Sequence, residues 1–157
     1  MSKSTPATQA LVKAGVPFAL AEYAYDPDAD KIGLQAAQAM GVVPGMVLKT
    51  LMVELDGKPV CVVVPSDREV SMKRLAAALG GKSAQMMKPA DAERLTGYRV
   101  GGISPFGQKR KVPTAFEASA LDLPEIFLNG GQRGLQIRID PKLACATLGA
   151  VAAPVVA

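Results

Sequence analysis

Residues 47–64 read Val47-Leu48-Lys49-Thr50-Leu51-Met52-Val53-Glu54-Leu55-Asp56-Gly57-Lys58-Pro59-Val60-Cys61-Val62-Val63-Val64, and this stretch decides the architecture. Two apolar runs flank Asp56-Gly57, a dipeptide suited to the two left-handed positions of a tight hairpin turn. The pattern predicts a strand over 47–55, a two-residue turn and a returning strand over 59–64. Alternate strand residues share a face, so Lys49 accompanies Val47, Leu51 and Val53. A lysine among three apolar neighbours is either an edge-strand gatekeeper or a charge held in a cleft, and spacing alone leaves both open.

On the N-terminal side, Ser4 or Thr5 can cap a helix that has Pro6 at its first position and ends at Gly15. Residues 17–25 read as extended, an acidic turn surrounds Pro27, and a short helix over 35–40 stops at Gly41. On the C-terminal side, 71–79 reads as a helix closed by Gly80-Gly81, 83–87 as a strand and 89–95 as a second helix. A loop rich in glycine and proline spans 101–107. Strands then fit 112–117, 125–128 and 135–139, and Pro141 opens a last helix that precedes an apolar tail. Connections this short exclude a regular series of parallel crossovers. The expected fold class is therefore α/β: one mixed, largely antiparallel sheet surrounded by short helices, in a single domain over 1–157.

Composition removes several kinds of chemistry. The chain has no histidine, so Ser-His-Asp catalysis, Cys-His catalysis and histidine-based zinc sites are all excluded. Its two cysteines, Cys61 and Cys145, cannot make a four-thiolate metal site; both are expected to be reduced and buried. Four Phe, three Tyr and no Trp stand against 25 Ala, which makes the core aliphatic. Met1-Ser2-Lys3-Ser4-Thr5-Pro6 does not resemble a secretion signal, and no apolar run is long enough to span a bilayer. A soluble, cytoplasmic protein without a membrane partner is expected.

Two motifs mislead. Gly80-Gly81-Lys82-Ser83 suggests a phosphate loop, but Ala76 stands where its first glycine belongs and a helix precedes it instead of a strand. Asp26, Asp28 and Asp30 have calcium-loop spacing, but Lys31 and Ala37 occupy the positions that require Gly and Glu. No metal or cofactor is expected. Two other features carry more weight. Gly101-Gly102-Ile103-Ser104-Pro105 could aim backbone N–H groups at a ligand, or could simply be a tight turn. Between Glu93 and Glu117 lie five cations and no acids: Arg94, Arg99, Lys109, Arg110 and Lys111. Such a patch suits a polyanion or a solvated face.

Four segments occur in an order that resembles a known family. They are Val47-Leu48-Lys49-Thr50-Leu51; Thr96-Gly97-Tyr98-Arg99-Val100-Gly101-Gly102-Ile103-Ser104-Pro105; Gln108-Lys109-Arg110-Lys111-Val112-Pro113-Thr114; and Gly130-Gly131-Gln132-Arg133-Gly134-Leu135. The chain resembles the YbaK-type aminoacyl-tRNA deacylases, relatives of the editing domain inserted in bacterial prolyl-tRNA synthetase. The resemblance implies a compact, barrel-like mixed sheet. It also implies removal of cysteine from mischarged Cys-tRNA(Pro), and from Cys-tRNA(Cys), through attack of the substrate thiol on its own ester and release of a thiolactone. That chemistry suits a chain without histidine, because the protein supplies position and charge stabilisation.

By the same resemblance, Lys49 and Gly101 are the expected catalytic residues. Tyr23, Ile32, Thr50, Gly102, Ile103, Ser104, Asn129 and Gly130 are the expected substrate-binding residues, and Lys109, Arg110 and Lys111 are expected to meet the tRNA backbone. Prolyl-tRNA synthetase is an expected docking partner. Ile32 stands where an aromatic residue is familiar, Asn129 where serine is and Gln136 where aspartate is, and such changes bear on amino-acid specificity. Two alternatives keep the fold: a water-using deacylase for alanyl- or another small aminoacyl-tRNA, and a non-catalytic module that binds tRNA or a synthetase.

Overall fold

The computed structural model describes residues 4–157, so Met1-Ser2-Lys3, the start of the segment read for a leader, lies outside the described residues. Helix α1 (Pro6–Ala14) begins at Thr5, whose side chain accepts from Thr8 N–H, and ends at left-handed Gly15, as its caps predict. Strand β1 (Ala19–Glu22) follows. Helix α2 (Ile32–Met40) starts three residues before the expected position; its N-cap, Lys31, makes no side-chain capping bond, so the sequence carried no start signal there. A 3₁₀ turn over Pro44–Met46, not foreseen, leads into β2 (Leu48–Leu55). The hairpin to β3 (Lys58–Pro65) turns at Asp56 and Gly57, whose φ angles of 52° and 80° are those the dipeptide predicted.

Helix α3 (Met72–Ala78), strand β4 (Ala84–Met86) and helix α4 (Pro89–Thr96) lie within the expected spans or one residue beyond them. The same holds for β5 (Thr114–Glu117), β6 (Ile126–Asn129), β7 (Leu135–Ile139) and α5 (Pro141–Leu148). A 3₁₀ segment spans Ala118–Asp122, and the apolar tail contributes β8 (Val151–Ala153). Neither was foreseen, because segments of five and three residues without a clear period leave no signature.

The chain is a mixed α/β fold with mostly antiparallel pairing, as expected, but the described strands form two sheets and no closed barrel. One sheet has the order β1-β7-β6 and the other β4-β2-β3-β5-β8; β3–β5 and β5–β8 are parallel. Closure fails because the outer edge of β2 is divided. Its C-terminal end, Val53–Leu55, pairs with β4, and beyond its N-terminal end Val47 bridges to Phe127 of β6. Between those contacts no strand pairs with this edge, although Met52 O accepts from Met87 N–H at 3.1 Å.

Central strand β3 explains the unbroken run Val60–Val64, because it is covered on both faces. Val60, Val62 and Val64 pack with Val53, Leu75 and Val155, while Cys61 and Val63 face Leu11, Met52, Phe116 and Leu128. This second group joins the inner faces of both sheets. Burial of each such aliphatic side chain contributes about 1.5–3 kcal/mol, so the hairpin anchors the strand that carries Lys49.

Candidate functional site

A cavity of about 450 Å³ opens along the free edge of β2, lined by residues 47–52 together with Ile32, Gly101, Ile103, Asn129 and Gln136. Its position on a strand edge explains why Lys49 and Thr50, which belong to opposite faces of β2, both reach it. The Lys49 side chain is 22% exposed, and its Nζ lies 3.6 Å from Glu69 Oε1. That same oxygen is 3.6 Å from Lys31 Nζ.

The cavity wall has an unmet demand for hydrogen bonds. Thr50 and Gln136 both line it, and their Oγ1 and Oε1 atoms are buried without a hydrogen-bond partner. The buried hydroxyl of Tyr23, which packs behind the cavity with Ala36 and Val47, is likewise unpartnered. An unpaired buried polar atom costs about 1–3 kcal/mol, so this wall carries a polar strain that the surrounding packing offsets. Burial raises the Tyr23 pKa; the Gly134 backbone opposes this, Tyr25 adds to it, and nearby Gln136 opposes it without a hydrogen bond of normal geometry.

The loop after α4 is held rigidly against this wall. Gly101 has φ +90°, and a Cβ there would lie 2.5 Å from the Tyr25 hydroxyl, so only glycine fits. Asn129 Nδ2 donates to Gly101 O at 2.9 Å while its Oδ1 accepts from Gly131 N–H at 2.8 Å. Arg133 Nε donates to Val100 O at 2.9 Å, and its guanidinium lies 5.2 Å from the Tyr25 ring centre. Glu93 Oε2 accepts from Val100 N–H at 2.8 Å, and buried Tyr98 donates to Phe106 O at 2.6 Å.

Lys49, Thr50, Gly101, Ile32, Ile103 and Asn129, all expected from sequence, come together around one cavity, and Gln136 joins them. Tyr23, Gly102, Ser104 and Gly130 do not line it. Gly102 N–H donates to Arg99 O, Ser104 Oγ accepts from Phe106 N–H, and Gly130 O accepts from the Thr5 hydroxyl; they shape the surrounding loops. Lys109, Arg110 and Lys111 are exposed and lie outside the cavity; Lys111 borders a separate cavity of about 300 Å³ beside α1 and α5. Sequence reasoning missed Glu69, which reads as one more polar residue of the turn Ser66-Asp67-Arg68-Glu69.

The misleading motifs resolve locally. Lys82 and Ser83 N–H groups donate to the Asp56 carboxylate, and Asp28 N–H donates to Asp26 Oδ1. Among the described residues, no three His, Cys, Asp or Glu side chains gather as a metal site requires. Cys61 and Cys145 are free and buried; burial pushes the Cys61 thiol up to about 12, against weaker opposing hydrogen bonds from Gln108 and Thr114, and also raises Cys145. No helix among the described residues is long and apolar enough to cross a membrane.

Comparison with known proteins places this geometry in context. Residues 26–144 match the family model of the aminoacyl-tRNA editing domain. The chain is 36% identical over 129 residues to an Enterococcus faecalis protein provisionally named Cys-tRNA(Pro)/Cys-tRNA(Cys) deacylase EbsC, covering 81% of this chain and 77% of that protein. It is 38% identical over 68 residues to the proline–tRNA ligase of Nitratidesulfovibrio vulgaris, a match that spans only 12% of the ligase. A crystal structure provisionally described as a trans-editing enzyme for prolyl-tRNA synthetase superposes with a TM-score of 0.85 at 25% identity, covering 99% of both chains. A hypothetical protein, also known from a crystal structure, shares the fold with a TM-score of 0.86 at 21% identity, over 98% of this chain and all of that one.

Proposed function

This chain belongs to the aminoacyl-tRNA editing domain family, and from that premise we propose that it is a trans-acting deacylase removing cysteine from Cys-tRNA(Pro) and Cys-tRNA(Cys). The single observation that carries this reading is the arrangement at the β2 edge. A partly exposed lysine lines a cavity of about 450 Å³ together with Thr50 and Gln136, each of which keeps a buried, unpartnered oxygen.

In the proposed reaction Lys49 holds the 3′-terminal ribose or phosphate, and the Gly101 loop, tied down by Asn129, fixes the aminoacyl ester. Thr50 and Gln136 face the polar groups of the amino acid, while Ile32 limits its size and Tyr23 supports the wall from behind. The substrate's thiol sulfur forms a bond to the ester carbonyl carbon as the thiol proton leaves. The ester C–O bond breaks, and the tRNA 3′-oxygen departs and takes up a proton. The products are uncharged tRNA and a cysteine thiolactone, which water opens later. No residue near the cavity need act as nucleophile, consistent with the absence of histidine and with the protonated, buried Cys61. Lys109, Arg110 and Lys111 attract the tRNA backbone, and prolyl-tRNA synthetase is the proposed docking partner in the cytoplasm.

A panel of tRNAs charged with Cys, Ala, Ser or Pro tests this reading. Cysteinyl-tRNA is expected to be deacylated fastest. Equal or faster cleavage of alanyl-tRNA would favour a water-using enzyme, and no cleavage above background for any substrate would favour a binding module.

A further inference from the structure

Glu69 carries no role in the reading above, yet its carboxylate is the anion that meets the site lysine. We propose that Glu69 is a positioning residue for Lys49, holding the ammonium at the cavity mouth in the orientation that receives the ligand; this rests on the assignment of Lys49 as a substrate contact. A lysine side chain has a long flexible stem and loses much rotamer freedom when fixed. An ion pair between two mobile, exposed side chains fixes little. Here both backbones are fixed.

Lys49 lies within the β2–β3 ladder, opposite Val64. Glu69 is 67% exposed at its side chain, but its backbone is clamped by the segment 154–157. Glu69 O accepts from Ala157 N–H at 2.8 Å, Val70 bridges Val156, and Ser71 N–H donates to Val155 O at 2.7 Å. Arg68 and Arg74 donate to the carbonyls of Ala157 and Val156 at 3.0 and 2.9 Å. The segment is itself anchored, because Val155 is fully buried and its N–H donates to Oε1 of buried Glu117 at 2.8 Å. A continuous chain of contacts therefore runs from β5 through the tail to Glu69 and on to Lys49. An ammonium has three donors, so one can remain on Glu69 while the others turn to a ligand.

The test is single-turnover deacylation of Cys-tRNA(Pro) by Glu69→Gln and Glu69→Asp, each made with Lys49 intact and with Lys49→Ala. It is paired with the rate at which an amine-reactive probe modifies Lys49, read by mass spectrometry. Glu69→Gln is expected to lower the rate at saturation roughly three- to thirty-fold, inside the range of couplings between contacting residues. Half-saturation should be unchanged or lower, because a negative charge has left the path of a polyanion. Glu69→Asp should retain more activity than Glu69→Gln, and Lys49 modification should quicken in Glu69→Gln while that of Lys82 stays constant. In the Lys49→Ala background, Glu69→Gln should change the rate less than about two-fold. An equal fall in both backgrounds, or unaltered Lys49 modification, would overturn the proposal. If the unaltered protein deacylates no substrate, the functional reading fails, and the modification rates still decide the role of Glu69.

Discussion

Lys49 is a charge on a strand whose neighbours on the same face, Val47 and Val53, are fully buried. The open edge of β2 lets its ammonium reach water and ligand without leaving the strand. Removing a charge-assisted hydrogen bond costs about 1.5–3 kcal/mol, so Lys49→Ala should slow deacylation about ten- to a hundred-fold while circular dichroism and melting stay near those of the unaltered protein. Near-normal turnover would remove Lys49 from the mechanism. Cys61 gives a complementary expectation. A thiol held near pKa 12 is almost wholly protonated at pH 8, so Cys61 should resist alkylation in the folded protein and react readily after denaturation. A Cys61→Ala, Cys145→Ala protein should keep its activity. Lys49 was legible as a charge in an apolar strand, whereas Gly101 stood out from its glycine-rich loop only through the family resemblance. The unpartnered state of Thr50 and Gln136 was not legible, since it depends on neighbours brought from distant segments.

At the scale of elements, the hairpin was readable because Asp56-Gly57 and the alternation around it agree, and the structure follows them nearly residue for residue. The tail was not readable. Val151–Ala153 becomes a strand only because β5 offers it a parallel edge, and Val155–Val156 is buried because Glu117 and the 69–71 segment receive it. Glu117 makes this anchor sensitive to acid. Burial alone would raise its pKa, but hydrogen bonds from Ser119 and from the Val155 and Val156 backbone outweigh burial and lower it from 4.5. A depressed carboxylate pKa contributes stability that is complete above the unfolded-state value and is lost as pH falls through the folded-state value. Stability should therefore be level above about pH 5 and decline below 4.5. Glu117→Gln should flatten part of that decline, as read by denaturant midpoints across pH. An unchanged acid limb would show that Glu117 does not anchor the tail.

For the whole molecule, the proposed function divides recognition between the cavity and the basic run 109–111. In that reading the cavity receives the amino acid, whereas exposed Lys109, Arg110 and Lys111 would sense only phosphate charge. Binding of tRNA should weaken as salt rises, and neutralising the three cations should lower the slope of log affinity against log salt by about 0.7–0.9 for each phosphate that they cease to neutralise. Unlike tRNAs should be affected similarly. An unaltered slope would assign the run to a solvated face. The two-sheet arrangement was only partly foreseeable, because sequence periodicity reports which residues are buried but not how the edge of β2 is shared between β4 and β6.

In the proposed reaction the substrate's own thiol does the chemistry, and the cavity supplies only position and charge. The most direct measurement is the identity of the first product released from Cys-tRNA(Pro) in a single turnover, trapped by rapid quench with a thiolactone-reactive amine and read by mass spectrometry. Thiolactone is expected to appear at the rate of tRNA release, with free cysteine following it. Free cysteine appearing at the rate of tRNA release, with no thiolactone trapped and alanyl-tRNA cleaved equally fast, would rule out thiol attack and make water the nucleophile.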